Sequence, residues 1–334
     1  DFGDTLTSTF YQIMGADNGG GGLPQEGSFP QRASVNYMPG LGRTLIFGGN
    51  RSSADSKNID MFQVPTLGNA SDFGDLTIIN DNNAACASLT RAICYIGSLA
   101  PTPNNSIDYI EFQSQGNSSD FGDKTVSSNS NAGFSSTTRG VFGGGSVPSG
   151  QTDVIEYITM ASVGNATDFG NLTVARQEAK GLSSPTRGVV GGGYTGSYSD
   201  VMDYVTIAST GNATDFGNLT AADQPGAGLS NNTRGLFGGG DNGGGTIDNE
   251  IQYITIASTG NTTDFGDLTV ARNKMGNGST QIRGCFVGGQ SPTLRNTIDY
   301  VTIASTGNAA DFGDLVEANS RTSGASDAHG GLQA

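Results

Sequence analysis

The phrase Thr-Asp-Phe-Gly-Asp-Leu-Thr-Val-Ala at Thr263–Ala271 constrains this chain more than any other feature, because it recurs. It returns at Thr167–Ala175 and Thr214–Ala222, and with more drift from Ser71, Ser119 and Ala310; a copy of its core, Asp1–Asp4, opens the chain. Its phenylalanines are Phe73, Phe121, Phe169, Phe216, Phe265 and Phe312, and subtraction gives steps of 48, 48, 47, 49 and 47 residues. A step held this closely over five intervals is a structural repeat, and periods of this length belong to solenoids, propellers and arrays.

The fifth copy displays the unit. Gly226–Ser230 is a short run of small residues, and Asn231-Asn-Thr has turn composition. Arg234-Gly-Leu-Phe-Gly-Gly-Gly is a second segment that ends in glycines, and Asp241–Glu250 is a polar loop. Ile251–Ser258 is a β-branched and aromatic run with strong strand character. Thr259-Gly-Asn turns the chain into the Asp-Phe-Gly phrase, the fourth strand. No window carries a helical period long enough to define a helix. The same order runs from Arg43, Arg91, Arg139, Arg187 and Arg283, with the third strand at Ile59, Ile107, Ile155, Met202 and Ile298. Tyr109, Tyr157, Tyr204, Tyr253 and Tyr300 stand two places into that strand, and Met61 replaces the tyrosine in the first copy. Such strands are apolar on both faces, so both faces must be covered.

Residues 1–30 hold an N-terminal strand and a Gly-rich arm or insertion, and residues 31–334 hold the repeats. The chain ends on the first half of a unit: Ser323-Gly-Ala-Ser matches the small-residue strand, and His329-Gly-Gly-Leu is a stunted arginine segment. The expected fold is an all-β propeller of four-stranded blades. Six blades are complete, and a composite seventh is closed by Ser323–Leu332 beside Asp1–Asp4, which removes a free sheet edge. A six-bladed ring is the alternative.

Written as Arg187-Gly-Val-Val-Gly-Gly-Gly, Val201-Met-Asp-Tyr-Val and Asp215-Phe-Gly-Asn-Leu-Thr-Ala-Ala, the unit resembles a kelch repeat. Gly191 and Gly192 match the family's glycine pair and Tyr204 its tyrosine, whereas Phe216 stands where kelch repeats carry tryptophan. The runs Ile298–Ala309 and Ser326–Leu332 are similar to Asp-Phe-Gly-Asp-Leu-Thr repeat structural and tail-fibre proteins of marine bacteriophages, including cyanophages. That resemblance implies a virion component, such as a tail fibre, spike or head appendage, present in many copies. Its expected partners are other virion proteins or a host surface receptor or glycan. A bacterial secreted or cell-surface interaction module is the alternative, and a propeller enzyme a weaker third, because propellers host many activities.

Charge narrows the partners. Sixteen Lys and Arg against 31 Asp and Glu give a net charge of −15, which disfavours a nucleic-acid backbone as partner. No apolar run of membrane-spanning length occurs, so no membrane insertion is expected. Asp-Phe-Gly is a kinase hallmark, but here it recurs without the lysine strand or His-Arg-Asp loop that phosphoryl transfer needs. The glycine runs lack a following Gly-Lys-Ser/Thr, His329 is the only histidine, and Cys86, Cys94 and Cys285 are read as buried apolar fillers. Asn117, Asn165, Asn212 and Asn261 fit glycosylation triplets but are read as turn residues between strands. No catalytic, cofactor or metal residue is assigned.

Two structural roles are expected. The six repeat phenylalanines fill the gaps between blades, and Arg139, Arg187, Arg234 and Arg283 each meet the aspartate of an Asp-Phe-Gly phrase. Recognition is assigned to the loops Asn50–Asn58, Ser98–Ser106, Ser146–Val154, Tyr194–Val201, Asp241–Glu250 and Gln290–Thr297, which vary while their frame does not. Pro101, Pro103, Tyr194, Tyr198, Asp241, Asn242 and Arg295 are the candidate partner-binding residues.

Overall fold

The computed structural model describes residues 40–52, 54–99, 102–242 and 246–332. The predicted N-terminal arm and Asp1–Asp4 lie outside the described residues. Among those described, the chain is all β, with one 3-10 turn at Gly330–Leu332.

Each repeat builds one antiparallel sheet in the order lead strand, arginine strand, tyrosine strand, Asp-Phe-Gly strand. The third copy is representative: Ala132–Ser135, Arg139–Gly143, Val154–Thr159 and Thr167–Asn171 pair in that order. The expected strand starts at Arg43, Arg91, Arg139, Arg187, Arg234 and Arg283 all hold. The segment read as a polar loop at Asp241–Glu250 differs, because strands Arg234–Asn242 and Thr246–Thr255 run into it as an extended hairpin.

One strand, Thr214–Ser230, serves two sheets, pairing with Ser199–Thr206 and then with Arg234–Asn242. Pro225 accounts for this continuity. In five other copies the residue two places before the lead strand turns the chain with positive φ: Asn82, Ser130, Glu178, Lys274 and Arg321. Proline is locked near −65° and cannot make that turn, so the chain stays extended through Pro225.

The C terminus closes the structure. Ser323–Ser326 pairs with Arg43–Phe47 and supplies the lead strand of the first sheet. It therefore completes the first repeat, where the sequence reading placed it beside Asp1–Asp4 in a further unit. The lead strands then make a cycle of neighbours: Ala84–Ala87, Ala132–Ser135, Lys180–Ser183, the end of Thr214–Ser230, Gly276–Ser279 and Ser323–Ser326, which returns to Ala84–Ala87. His329-Gly-Gly-Leu does not form the short strand expected of it. It coils into the 3-10 turn, where side chains on Gly330 and Gly331 would strike the carbonyls of Asn231 and Ser135.

The core lies between sheets. All six repeat phenylalanines are buried. Phe265 packs on Phe286, Val301 and Ile303 of the following sheet, and Phe121 on Phe142, Ile158 and Met160. Burying one such ring contributes about 1.5–3 kcal/mol. Tyr253 meets Phe265 edge to face at 6.0 Å, and the Tyr109, Tyr157, Tyr204 and Tyr300 pairs repeat this geometry. The cysteines are buried, and burial pushes their thiols up.

The arginine expectation is corrected. These guanidinium groups do not grip the Asp-Phe-Gly aspartates. Arg187 lies 4.3 Å over the Tyr204 ring and donates to the Ile256 carbonyl at 2.9 Å. Arg139 and Arg234 repeat the pattern with Ile207 and Ile303. A guanidinium stacks on an aromatic face and still donates from its edge, so one side chain ties its own sheet to the next.

Candidate binding surface

Each arginine strand turns into the tyrosine strand through a loop, and the start of that loop is pinned in the same way from copy to copy. Ser98 bridges to Asp81, Ser146 to Asn129, Tyr194 to Gln177 and Gln290 to Asn273. Positive φ at Gly48, Gly144, Gly192 and Gly288 takes the chain out of the arginine strand, which is why glycines end it in those copies. Beyond that anchor the loops diverge in composition.

The candidate residues divide into three groups. Pro101 lies outside the described residues. Pro103 is half-buried in a two-residue strand against Ser98 and Leu99, and Arg295 donates to the Ser291 carbonyl at 2.9 Å within its own loop. Tyr194, Tyr198, Asp241 and Asn242 come together. Ser199 pairs with Asp223, and Asp223 pairs with Asn242 on its other side. Tyr198 and Asp241 flank that row. The two tyrosine rings sit edge to face, 5.8 Å apart at 78°.

The electrostatics of this region are acidic. Burial, then the charges of Asp241, Glu178 and Asp223, raises the Tyr198 hydroxyl above its ordinary pKa. Asp223 is buried, and burial with the neighbouring Asp248 pushes its carboxyl up to about 8. The repeat explains why Asp223 stands alone. At its position in two other copies lie Arg176 and Arg272, fully buried and paired with Asp203 and Asp299 at 2.8 and 3.0 Å. Where Asp223 replaces the arginine, Gln252 replaces the partner aspartate, so the two acids do not face each other. Gln252 still accepts from the Thr220 amide at 3.0 Å, as Asp203 does from Thr173 and Asp299 from Thr269.

Another junction is rebuilt differently. Lys124 occupies the leucine position of the phrase, donates to the Ile96 and Ser128 carbonyls and lies 4.4 Å over the Tyr95 ring. The Tyr95 hydroxyl and Thr125 both donate to Glu156. Burial lowers Lys124 to about 7, with Glu156 opposing. The group is enclosed between sheets, so its chemistry is structural.

The sequence reading missed Asp223, Glu178 and Asn273. Asn273 is buried, its amide nitrogen donates to Asp241 at 2.8 Å, and its oxygen has no hydrogen-bond partner. Asp223 was legible as a broken repeat position, since an acid stands where two other copies carry arginine. Among the described residues no three His, Cys, Asp or Glu side chains are gathered closely enough to hold a metal ion. The cavity at the centre of the lead strands is about 50 Å³ and is lined by backbone, Ser135, Ser183, Ser279 and His329. That is room for ordered water and not for an organic ligand. No protein-family model and no curated protein matches the chain.

Proposed function

We propose that the chain is a six-bladed, kelch-like β-propeller that acts as a non-enzymatic binding scaffold, a virion component presenting its inter-strand loops to other virion proteins or to a host surface. The closed cycle of lead strands supports the architecture. A ring closed by Ser323–Ser326 on Arg43–Phe47 ties the two ends of the repeats into one sheet. The observation that carries the function is the contrast between frame and loops. The arginine–carbonyl clamp, the Tyr–Phe pair and the register shift where the Asp-Phe-Gly strand pairs with the tyrosine strand recur almost unchanged, whereas the loops that leave the same end of every sheet do not. Variation confined to one end of a rigid frame is the pattern of a recognition surface. The phage-repeat resemblance of Ile298–Ala309 supports the virion setting.

The test exchanges Tyr194–Val201 and Gln290–Thr297 for Gly-Ser linkers of equal length. Folding should persist, while particle assembly or host adsorption falls. A folded variant with both properties intact places recognition elsewhere.

A further inference from the structure

Tyr194 and Tyr198 present two perpendicular rings at the loop end of the fourth sheet. Each is half-buried, so each keeps an accessible face. Every charge acting on the Tyr198 hydroxyl is acidic, and Asp241 is the foremost of them. Asp241 is held by the buried Asn273 amide, whose own oxygen lacks a donor. Aromatic faces and a fixed carboxylate call for one kind of group, a cation that also donates hydrogen bonds. The carboxylates are too dispersed for a metal ion, which needs several oxygens at short range. A planar or tetrahedral nitrogen cation needs only one carboxylate and a ring face.

We propose that Tyr194, Tyr198 and Asp241, with Asn273 behind them, form a site for the guanidinium or primary ammonium group of an arginine or lysine side chain on a partner protein. This deepens the loop-face reading by giving one loop pair a chemical preference. A basic side chain suits a chain that carries −15 overall and sets Asp241 foremost among the acids acting on the Tyr198 hydroxyl. Asp241, held in place by the Asn273 amide nitrogen, would accept the ligand's N–H groups while a tyrosine face covers its charge.

The test is calorimetric titration of the folded protein with N-acetyl-arginine amide, N-acetyl-lysine amide and the neutral isostere N-acetyl-citrulline amide, with spermidine and calcium chloride as further arms. The arginine or lysine amide should bind, and citrulline should not. Asp241→Asn and Tyr198→Leu should each weaken binding about tenfold, whereas Tyr198→Phe, which keeps the ring, should retain it. Equal binding of citrulline, binding of spermidine or calcium alone, no binding, or binding indifferent to Asp241→Asn would each overturn the site. Loss of host adsorption in the loop-exchange variants, with no binding here, would leave the loop face standing and remove this site alone.

Discussion

The guanidinium of Arg283 donates to the carbonyl of Pro65 at 3.0 Å, joining residues 218 positions apart. The same bond runs from Arg43 to Phe112, Arg91 to Met160, Arg139 to Ile207, Arg187 to Ile256 and Arg234 to Ile303. Each arginine therefore reaches one sheet forward, and the last reaches the first. The series closes on itself as the lead strands do.

Arg187→Ala should remove a cation–π contact and a charged hydrogen bond, and leave the Ile256 carbonyl without that donor. The expected loss is about 1–3 kcal/mol, read as a lowered urea midpoint. Arg187→Lys should recover only part of it, because lysine lacks the planar fork that stacks and donates together. Equal midpoints for wild type and Arg187→Ala would show that the clamp contributes nothing.

Gly266 and Gly260 offer a paired test of close packing. Both have φ near 150°, so alanine strains both backbones. A Cβ on Gly266 would lie 2.5 Å from the Gly307 carbonyl, whereas at Gly260 it would meet open space. Gly266→Ala should therefore cost more than Gly260→Ala, by about 1–3 kcal/mol. The Gly307 amide, which donates to the Phe265 carbonyl at 2.7 Å, should lose hydrogen-exchange protection in Gly266→Ala only. The same contact closes from Gly313 to Gly68, so the glycine of the phrase is fixed by its neighbour in the next sheet.

Asp223 gives a pH dependence of definite sign. Its folded pKa, about 8, lies above the ordinary carboxyl value of 3.8. The folded state thus holds a proton that the unfolded state releases, and this contribution to stability falls as pH rises from about 4 to about 8. Asp223→Asn keeps the shape and removes the charge. It should flatten that slope and raise stability at pH 9 by on the order of 1 kcal/mol. Urea midpoints across pH 5–9 (roughly the window of this shift) check it. An unchanged slope would mean that Asp223 ionises freely in the fold.

Much of this was legible in the sequence, because a repeat tests each local inference several times over. The six-fold recurrence of Phe73, Phe121, Phe169, Phe216, Phe265 and Phe312 marked the positions buried between sheets. The tyrosine position and the glycine-terminated strand followed from strand chemistry, whereas the register shift within the Asp-Phe-Gly strand came only with the structure. The arginine partners were not legible. A backbone carbonyl leaves no trace in residue identity, so the sequence offered only the aspartates, and the exposed Asp-Phe-Gly aspartates proved to face outward. At the candidate site, Tyr194, Tyr198 and Asp241 stood out as loop residues, but Asn273 did not, because its role depends on a neighbour 32 positions away.

His329 supplies the last test. Serines at one level of the lead strands each donate to a carbonyl of the preceding strand: Ser135 to Ala87, Ser183 to Ser135, Ser230 to Ser183, Ser279 to Ser230 and Ser326 to Ser279. Ala87 has no hydroxyl with which to continue the series. The His329 ring lies beside that position, its Nε2 3.2 Å from the Ala87 carbonyl and 3.0 Å from Ser135 Oγ. The Gly331 amide donates to Nδ1 at 3.0 Å, so Nδ1 must keep its lone pair and the proton sits on Nε2. Protonating Nδ1 would break the Gly331 bond and loosen the Gly330–Leu332 turn. Burial accordingly lowers His329 to about 4 from an ordinary 6.5, with the Ala87 carbonyl opposing. The unfolded chain takes the proton first, so the contribution is complete above pH 6.5 and is lost as pH falls toward 4. The shift corresponds to at most about 3 kcal/mol, and less in practice because the ring is only half-buried. His329→Gln should be less stable than wild type at pH 7.5, and the gap should narrow by pH 4. Urea midpoints of the two proteins at both pH values provide the measurement, since carboxylates common to both cancel in the difference. A gap that stays constant would mean that His329 does not titrate in this window and that the turn is held without it.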